Sequence, residues 1–572
     1  MKKHLKHTLS GLALALVLSP ALSVSANPSA PQNLTVPALA YDSTSLSLTW
    51  EKPPNYNDIT SYNIYMNDTC IGNTKEAPAT AATEHIHAFY AAADNQHAEK
   101  ISLHNYTVKS LQPNTSYTFT VRSVDAQGKE SSDSKSIVQK TAALSPIYNI
   151  ADYGAVGDGI TMNTKSIQKA IDSCQKGGTV LIPSGTYKSG ALWLHSNMTL
   201  EVAKGGILLG SEYPAAYPFN YKLYSYSDNR YYALINASST DDVPIENIRI
   251  IGSGTIDGNG WTKTKTGSYS KANNKTDKNG VYDPNHVLNI GILAKSQVEK
   301  LIASGMTFKQ AYPRRSNLIT LRGVKNIYYG GGLTFQNPAN HTIVNIKCQN
   351  ITVNNATIKT FNCNNGDGIE SVLSKGLVVM NNYFDTGDDG MNFAAGMGAA
   401  AAKEQPTSNS WIFNNYFYHG HGAIVTGSHT GAWIEKILAE DNIMEKTDIG
   451  FRAKTTPPMG GGARNIIFRN NALKDIGQQA FIFTSGYFDP NSVIEYKKAT
   501  APGQFKNITI ENCSIDKTGG PCITVQGLAE MPHKDLIFRN LHFYNVKPME
   551  INYLENGTFY NVVFDKDTSP TK

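Results

Sequence analysis

Short segments of one pattern recur through most of the chain, and this recurrence limits the possible folds more than any other feature. In each segment a small polar turn precedes a stretch in which apolar and polar residues alternate, and many segments end in Asn-Asn or Asn-Cys. Examples occupy residues 245–250, 324–329, 348–353, 463–468, 505–510 and 533–538, and most successive units lie about 20 to 40 residues apart. The alternation predicts short β-strands with one buried face.

A single strand of this length cannot bury its apolar face alone, so neighbouring units must stack on one another. A β-propeller needs roughly 40 residues and four strands for each blade. Most of these units are shorter than that. The spacing therefore favours an all-β fold, a right-handed parallel β-helix, over residues 146–572.

One short helix is expected where the repeats begin, at residues 164–174, with Gly177 as a stop signal. Its apolar face is formed by Ile167, Ala170, Ile171 and Cys174. The glycine-rich residues 152–159 before it lack the Gly-Lys-Ser/Thr ending of a phosphate-binding loop. We expect the helix to cover the first open strand edge of the stack. The segment resembles the N-terminal cap of pectin-degrading parallel β-helices.

The residues before the repeats, 27–145, form a separate module with the alternation of half-buried strands. Trp50 and Tyr62 lie on such stretches, and residues 111–121 read Leu-Gln-Pro-Asn-Thr-Ser-Tyr-Thr-Phe-Thr-Val. This pattern resembles a fibronectin type III β-sandwich, interrupted by an insertion at 73–103. It contains no catalytic constellation, so we expect a spacer or docking unit, with substrate binding as the alternative.

Residues 1–26 have the composition of a secretion signal. Lys2, Lys3 and Lys6 precede an apolar run, and residues 24–26, Val-Ser-Ala, supply the small residues of a cleavage site. An uncleaved anchor is the alternative, and no other stretch approaches the about 20 apolar residues of a membrane helix. We therefore expect an exported protein, periplasmic or secreted, with no membrane segment after cleavage.

Composition excludes some partners without selecting a substrate. The net charge is +5, charged residues make up 17% of the chain, and no run of five or more basic residues occurs. Nucleic acid binding is therefore not expected, whereas a mildly basic chain suits a polyanionic substrate. The six cysteines lack the spacing of a zinc site. In an exported protein they permit disulfides without indicating a pairing.

Two inserts interrupt the repeats. Residues 213–232 contain seven tyrosines, and residues 258–304 are polar and rich in lysine. Long loops on a rigid scaffold commonly carry binding specificity. The tyrosine-rich insert is equally compatible with packing over the exterior of the β-helix.

Four polar stretches follow in fixed order in the C-terminal half. They read Asn-Gly-Asp-Gly at 365–368, Gly-Asp-Asp-Gly at 387–390, Gly-His-Gly at 420–422 and Arg-Ala-Lys at 452–454. Each step is about one coil, so we expect these residues on adjacent rungs of one face, about 4.8 Å apart. Three carboxylates, one imidazole and two cations in one groove suit acid-assisted hydrolysis of an acidic sugar chain.

Asp388 and Asp389 are neighbours, and a regular strand would direct them to opposite faces. Both reach one groove only where Gly387 and Gly390 allow a bend. Taken alone, the pair also suits an Asp-Asp-Gly turn or a calcium site.

The ordered set resembles the Asn-Thr-Asp, Asp-Asp, Gly-His-Gly and Arg-Ile-Lys motifs of family 28 glycoside hydrolases, the polygalacturonases, from about residue 152 onward. The resemblance implies that Asp388 is the general acid and that Asp367 and Asp389 hold and deprotonate the attacking water. His421 would tune the protonation of the acid or bind substrate, and Arg452 and Lys454 would bind the galacturonate carboxylate. Asn365 is expected to be a hydrogen-bonding partner, and the Tyr487 ring is expected to stack on a sugar. Gly366 in place of Thr and Ala453 in place of Ile depart from the motifs without removing a reacting group.

The same resemblance implies hydrolysis of α-1,4-galacturonosidic bonds in polygalacturonate, with inversion at the anomeric carbon and without a metal or cofactor. We also expect a monomer. Inversion implies carboxyl groups about 6.5–9.5 Å apart. A type III module before a family 28 domain with long inserts resembles bacterial exo-acting members, which release digalacturonate from the non-reducing end. An endo-acting enzyme, a calcium-dependent pectate lyase and a non-catalytic carbohydrate-binding protein are the alternatives.

Overall fold

Two all-β units follow each other in the computed structural model, which describes residues 27–262, 291–361, 363–488 and 494–565. The secretion signal expected at 1–26 lies outside these residues, as does much of the lysine-rich insert. Within the described ranges, no helix combines the length and the apolar character that a membrane crossing requires.

The first unit is a sandwich of two antiparallel sheets. One sheet contains the strands Gln32–Thr35, Leu46–Glu51 and Asn105–Val108, and the other contains Ile59–Met66, Thr69–Asn73, Ser116–Asp125 and Ile137–Lys140. Trp50 and Tyr62, one from each sheet, pack edge to face between them with ring centroids 5.2 Å apart. The predicted sandwich is confirmed.

The insertion in the module folds into a helix, Thr83–Ala91, that packs on the second unit. Phe89 of this helix is buried in one cluster with Tyr383 and Tyr416 of the second unit. The His85 ring stacks on Tyr383 with centroids 3.7 Å apart. These contacts support the docking role of the module.

Buried charges also join the two units. Lys52 Nζ lies 2.5 Å from Asp441 and 3.3 Å from Glu440, and all three side chains are at most 1% exposed. The His104 ring of the module lies 3.3 Å from Asp441. Because an unpaired buried charge is costly, this interface holds the sandwich in a fixed position on the second unit.

The second unit is a stack of parallel strands, which confirms the predicted parallel β-helix. Its larger sheet contains 24 described strands: Ile147–Asn149, Asp158–Met162, Gly178–Ile182, Gly185–Ser189, Met198–Val202, Gly206–Gly210, Glu246–Gly252, Thr255–Asp257, Lys325–Gly330, Thr334–Gln336, Gln349–Asn354, Thr357–Lys359, Lys375–Met380, Tyr383–Asp385, Thr407–Phe413, Tyr416–Tyr418, Ile434–Glu440, Ile443–Glu445, Gly462–Arg469, Ala472–Ile476, Gln504–Thr518, His533–Tyr544, Leu554–Glu555 and Thr558–Asp565.

The Asn-Asn that ends many repeats turns the chain from one strand of this sheet to the next. Asn381 and Asn414 have φ angles of 61° and 55°, a left-handed conformation that asparagine tolerates well. The asparagine that follows points inward: Asn382, Asn415 and Asn442 form a fully buried ladder, with Nδ2–Oδ1 distances of 2.9 and 3.0 Å. The pattern seen in the sequence is therefore the corner of each coil.

A second, eleven-stranded sheet forms the remaining face of the described coils. Its strands, in spatial order, are Leu192–Trp193, Ile235–Ser238, Ile319–Arg322, Ile343–Ile346, Ile369–Val372, Met391–Ala394, Ile424–Thr426, Phe451–Lys454, Phe481–Thr484, Ile523–Gln526 and Glu550–Asn552. The side chains of the sandwich contact residues of the larger sheet and its turns, such as Asp441, Asn414 and Tyr383.

Helices are few and lie at the edges of the stack. The expected cap helix is present as Thr164–Ser173, with Ile167, Ala170 and Ile171 fully buried. The other described helices are Leu293–Ala303, Phe308–Ala311 and Gly398–Ala401. The tyrosine-rich insert contains a small antiparallel hairpin, Tyr221–Lys222 with Asn229–Arg230. All six cysteines are free thiols.

Candidate active site

The predicted site residues meet at the N-terminal ends of neighbouring strands in the eleven-stranded sheet. Asp367 comes two residues before Ile369–Val372, and Asp389 comes two residues before the next strand, Met391–Ala394. The Gly368 N–H donates to the Asp389 carbonyl (2.9 Å), so the parallel ladder extends into both turns. A rung spacing of about 4.8 Å therefore brings the two side chains together, as the motif spacing predicted.

His421 and the two cations follow on the next rungs. The His421 N–H donates to the Asp388 carbonyl (3.1 Å). Arg452 and Lys454 lie two residues apart in one strand, so both side chains leave the same face of the sheet.

Asp388 and Asp389 lie in the turn before the strand, where the alternation of a regular strand does not apply. Oxygens of Asp367, Asp388 and Asp389 lie within 4.8 Å of one another, so both neighbours reach the groove. The flanking glycine makes this turn possible, because a Cβ on Gly387 would lie only 2.2 Å from the Cys363 carbonyl oxygen.

The three carboxyl groups come close to one another because two of the residues are sequence neighbours and the third lies one rung away. One oxygen from each group lies within 4.8 Å of the other two. The separation of about 6.5–9.5 Å that inversion implies applies to the acid and base carboxyl groups as whole groups, so it stays a prediction.

Asp389 is the most deeply buried of the three carboxylates, with 1% of its side chain exposed. Lys454 Nζ lies 2.8 Å from Asp389 Oδ2, and an Arg452 nitrogen lies 3.8 Å from Asp389 Oδ1. Burial disfavours the charge of Lys454, but the carboxylate of Asp389 opposes this effect and the pKa of Lys454 is raised. Two cationic side chains therefore lie beside the Asp389 carboxylate.

Asp367 has a different environment. Burial and the negative charge of Asp388 raise the pKa of Asp367, against the opposing effect of His341, whose Nδ1 lies 2.8 Å away. Burial disfavours protonation of His341, but Asp367 outweighs it and raises the pKa of His341 to about 9. The imidazolium therefore holds Asp367 in place at neutral pH.

Asp388 is the most exposed of the three, with 17% of its side chain accessible, compared with 6% for Asp367. His421 Nδ1 lies 3.2 Å from Asp388 Oδ1, and Asn365 Nδ2 lies 3.5 Å from Asp388 Oδ2. Arg315 donates to Asn365 Oδ1 (2.7 Å) and fixes the orientation of that amide. Asp388 is thus the most accessible of the three carboxyl groups.

Sequence reasoning did not identify His341 or Glu370. His341 comes two residues before Ile343–Ile346, the same position that Asp367 and Asp389 occupy before their strands. An alignment of the repeats by strand start would have revealed it.

Glu370 gives no such signal in the sequence, because it lies inside the strand Ile369–Val372, whose other residues are also buried. It is 6% exposed and accepts from Asn392 Nδ2 (3.1 Å). Burial raises the pKa of Glu370 well above its usual value, which favours the protonated form of this carboxyl group.

The carboxyl groups and the tyrosine-rich insert line one cavity of about 220 Å³. Tyr224 Oη lies 2.8 Å from His429 Nδ1, and Tyr226 Oη accepts from the Met397 N–H (2.8 Å). These contacts fasten the insert over the sheet. The insert therefore both packs and lines the site, which combines the two roles that the sequence left open.

Tyr487 also lines this cavity. Its ring centroid lies 5.4 Å from the Arg452 guanidinium and 5.0 Å from Lys454 Nζ. The ring thus borders the cationic side of the site, while its stacking role toward a sugar stays a prediction.

Comparison with known protein families accounts for both units. Residues 220–556 match glycosyl hydrolases family 28, residues 29–140 match the fibronectin type III domain, and residues 147–201 match rhamnogalacturonase A/epimerase, pectate lyase-like. An exo-poly-alpha-D-galacturonosidase of Dickeya chrysanthemi is 44% identical over 97% of this chain and 93% of its own. An endo-polygalacturonase of Pectobacterium carotovorum subsp. carotovorum is 26% identical over 62% of this chain and 78% of its own.

Solved structures give the same result. The family 28 exopolygalacturonase of Yersinia enterocolitica is 46% identical and superposes with a TM-score of 0.88 over 94% of this chain and 96% of its own. A hyperthermoactive exopolygalacturonase of Thermotoga maritima, at 20% identity and a TM-score of 0.59 over 73% of this chain and 93% of its own, shares the fold. The resemblance carried by the four motifs is confirmed, and the chain belongs to glycosyl hydrolases family 28.

Proposed function

We propose that this chain hydrolyses the α-1,4-galacturonosidic bonds of polygalacturonate, acts from the non-reducing end and releases digalacturonate. The observation that carries the proposal is the cluster of three carboxyl groups with a cation pair beside it, in a cavity closed by an insert. The exo-poly-alpha-D-galacturonosidase of Dickeya chrysanthemi, which is 44% identical over 97% of this chain, supports the substrate and the exo mode.

In this mechanism Asp388 donates its proton to the glycosidic oxygen, and the leaving chain departs with a new hydroxyl group. A water held between Asp389 and Asp367 attacks the anomeric carbon and gives up its proton to Asp389. The positions agree with these roles, because Asp388 is the accessible carboxyl group and Lys454 stabilises the charge of Asp389. The close contact of His421 with Asp388 suits return of the acid to its protonated form.

Arg452 and Lys454 are proposed to bind the carboxylate of the sugar whose bond is cleaved. A guanidinium and an ammonium on the same sheet face give a planar fork and a point charge for that group. Lys454 already contacts Asp389, so substrate binding at this position also adjusts the charge beside the base.

The tyrosine-rich insert supports exo action. Its contacts to His429 and to the Met397 N–H fasten it beside the cavity, at residues that follow the strands Ile424–Thr426 and Met391–Ala394. We propose that the insert blocks the groove there, so that only a chain end enters. An endo-acting enzyme needs both sides open.

Export to the periplasm or the medium, after removal of residues 1–26, is part of the same proposal, as is action as a monomer. The composition of residues 1–26 supports the first. The substrate is a cell-wall polymer outside the cytoplasm, which agrees with it. No nucleic acid or membrane partner is proposed.

The test is incubation of the purified protein with polygalacturonate and a chelator, with reducing ends, unsaturated product absorbance and product size followed together. New reducing ends, no unsaturated product and digalacturonate from the first time point support the proposal. Products of many lengths would replace the exo mode with endo action. Unsaturated product, or activity only after calcium is restored, would contradict the hydrolase.

A further inference from the structure

The hairpin of the tyrosine-rich insert places two side chains opposite each other at the closed side of the cavity. Tyr221 and Arg230 are paired across its two strands. Both residues line the cavity that contains the catalytic carboxyl groups. Neither belongs to the four motifs, although both lie in the tyrosine-rich insert, a long loop of the kind that commonly carries binding specificity.

Arg230 holds a buried donor that no acceptor satisfies. One guanidinium nitrogen, Nη1, donates to the Pro313 carbonyl (2.7 Å) and fixes the orientation of the group. The Nε atom is buried and has no hydrogen-bond partner among the residues that the structure describes. The acidic residue of the same hairpin, Asp228, is engaged by Arg314 at 2.5 Å. A buried guanidinium donor without an acceptor is costly, and such a group in a ligand cavity indicates an anion that is bound there.

Tyr221 supplies a second donor at the same place. Its hydroxyl is buried and finds no acceptor for its proton among the described residues, and the neighbouring Arg322 guanidinium, 5.8 Å from the ring centroid, can only donate. Burial raises the pKa of Tyr221 to about 12, so the hydroxyl keeps its proton at neutral pH. Two such donors on paired residues that line one cavity suit a carboxylate, whose two oxygens accept one hydrogen bond each.

We propose that Arg230 and Tyr221 bind the carboxylate of the galacturonate at the non-reducing end of the substrate. This inference rests on the proposed function and makes it specific. A chain end whose terminal carboxylate is anchored at the closed side of the cavity has its cleaved bond fixed in register with Asp388. The pair thereby selects an acidic terminal sugar and sets the length of the product.

The experiment compares two trigalacturonates, one with all carboxylates free and one whose non-reducing terminal carboxylate is a methyl ester. We expect the wild-type protein to prefer the free acid by about tenfold to a hundredfold in kcat/KM, the range of a charge-assisted hydrogen bond. Arg230→Gln should lose this preference, with most of the loss in KM for the free acid. Tyr221→Phe should lose part of it.

Lys222→Gln is the matched control, because Lys222 is an exposed cation on the same hairpin and should keep the full preference. A second measurement removes dependence on turnover: in an Asp388→Asn background, calorimetry with digalacturonate should show weaker binding when Arg230→Gln is added. Thermal unfolding of each variant shows whether it is folded.

The outcomes separate this inference from the proposed function. If the wild-type protein does not release digalacturonate from polygalacturonate, the proposed function fails. If the wild-type protein does so and folded Arg230→Gln keeps the preference for the free acid and binds digalacturonate as before, only the role of Arg230 is overturned.

Discussion

Replacement of Lys52 by methionine tests whether the sandwich is an integral part of the catalytic unit. The Lys52 ammonium contacts Asp441 (2.5 Å) and Glu440 (3.3 Å), and all three side chains are at most 1% exposed. Methionine keeps the length of the side chain but leaves the two carboxylates with fewer cations. Removal of one partner from a buried ion pair costs about 3–5 kcal/mol.

The lower end of this range is expected here, because other donors remain. Arg469 Nε lies 2.8 Å from Glu440, the Trp411 indole donates to Glu440 (3.0 Å) and the Ser102 N–H donates to Asp441 (2.8 Å). We therefore expect a loss of about 3 kcal/mol in the free energy of unfolding at pH 7, a change of roughly 150-fold in the equilibrium constant.

The loss should depend on pH. Burial raises the pKa values of Glu440 and Asp441 in the folded protein, but the neighbouring side chains of Lys52 and His104 outweigh this effect and lower both values. The stability that these two carboxylates contribute is present above their pKa in the unfolded chain, about 4. It is lost as the pH falls through their lowered pKa values in the folded protein. The difference between the wild-type protein and Lys52→Met should therefore stay at its full size from pH 7 down to about pH 4 and shrink as the pH falls below about 4.

Urea unfolding followed by tryptophan fluorescence measures the effect, and Lys140→Met, at an exposed lysine of the same module, is the control. The double variant Lys52→Met/Asp441→Asn should recover part of the loss, because it removes one of the unpaired charges. An unfolding midpoint equal to that of the wild-type protein at pH 7 would refute the reasoning and indicate a loosely attached module.

Three further changes test the site. Asp388→Asn should lower kcat for polygalacturonate by about 10²–10⁴-fold, the usual contribution of a general acid, with an unchanged melting temperature; a fall of less than tenfold in a reducing-end assay would exclude Asp388 as the acid. The first product released should be the β-anomer, because inversion at an α-linkage gives that anomer. Proton NMR during the first minutes of hydrolysis measures the anomer, and an α-anomer would show that the enzyme retains the configuration. Burial opposes protonation of His341, but Asp367 outweighs it and raises the pKa of His341 to about 9. The stability that the protonated His341 contributes is therefore complete below about pH 6.5 and is lost as the pH rises through about 9. The difference in unfolding free energy between the wild-type protein and His341→Gln should narrow over that interval, and a constant difference in urea midpoints would contradict the ion pair.

Much of the fold follows from local patterns that the sequence states directly. The alternation of apolar residues gives the strands, and the Asn-Asn pairs give the corners, because asparagine tolerates the left-handed conformation seen at Asn381 and Asn414. The period of the repeat then places Asp367 and Asp389 on adjacent rungs. In a stack of coils, residues separated by one repeat period lie on neighbouring coils and contact each other. The sequence spacing alone therefore predicts that the motif residues come together.

Only the tertiary structure determined the contacts between residues that the repeat period does not relate. The short gap between the carboxyl groups comes from a turn in which Asp388 and Asp389 share one side. The buried donor of Arg230 arises because an insert folds back over strands that lie far along the chain. The docking of the sandwich through Lys52 joins residues nearly 400 positions from one another (Lys52 and Asp441, 389 apart). Local sequence encodes the shape of each coil, whereas the burial and charge of a side chain depend on which distant segment comes to cover it.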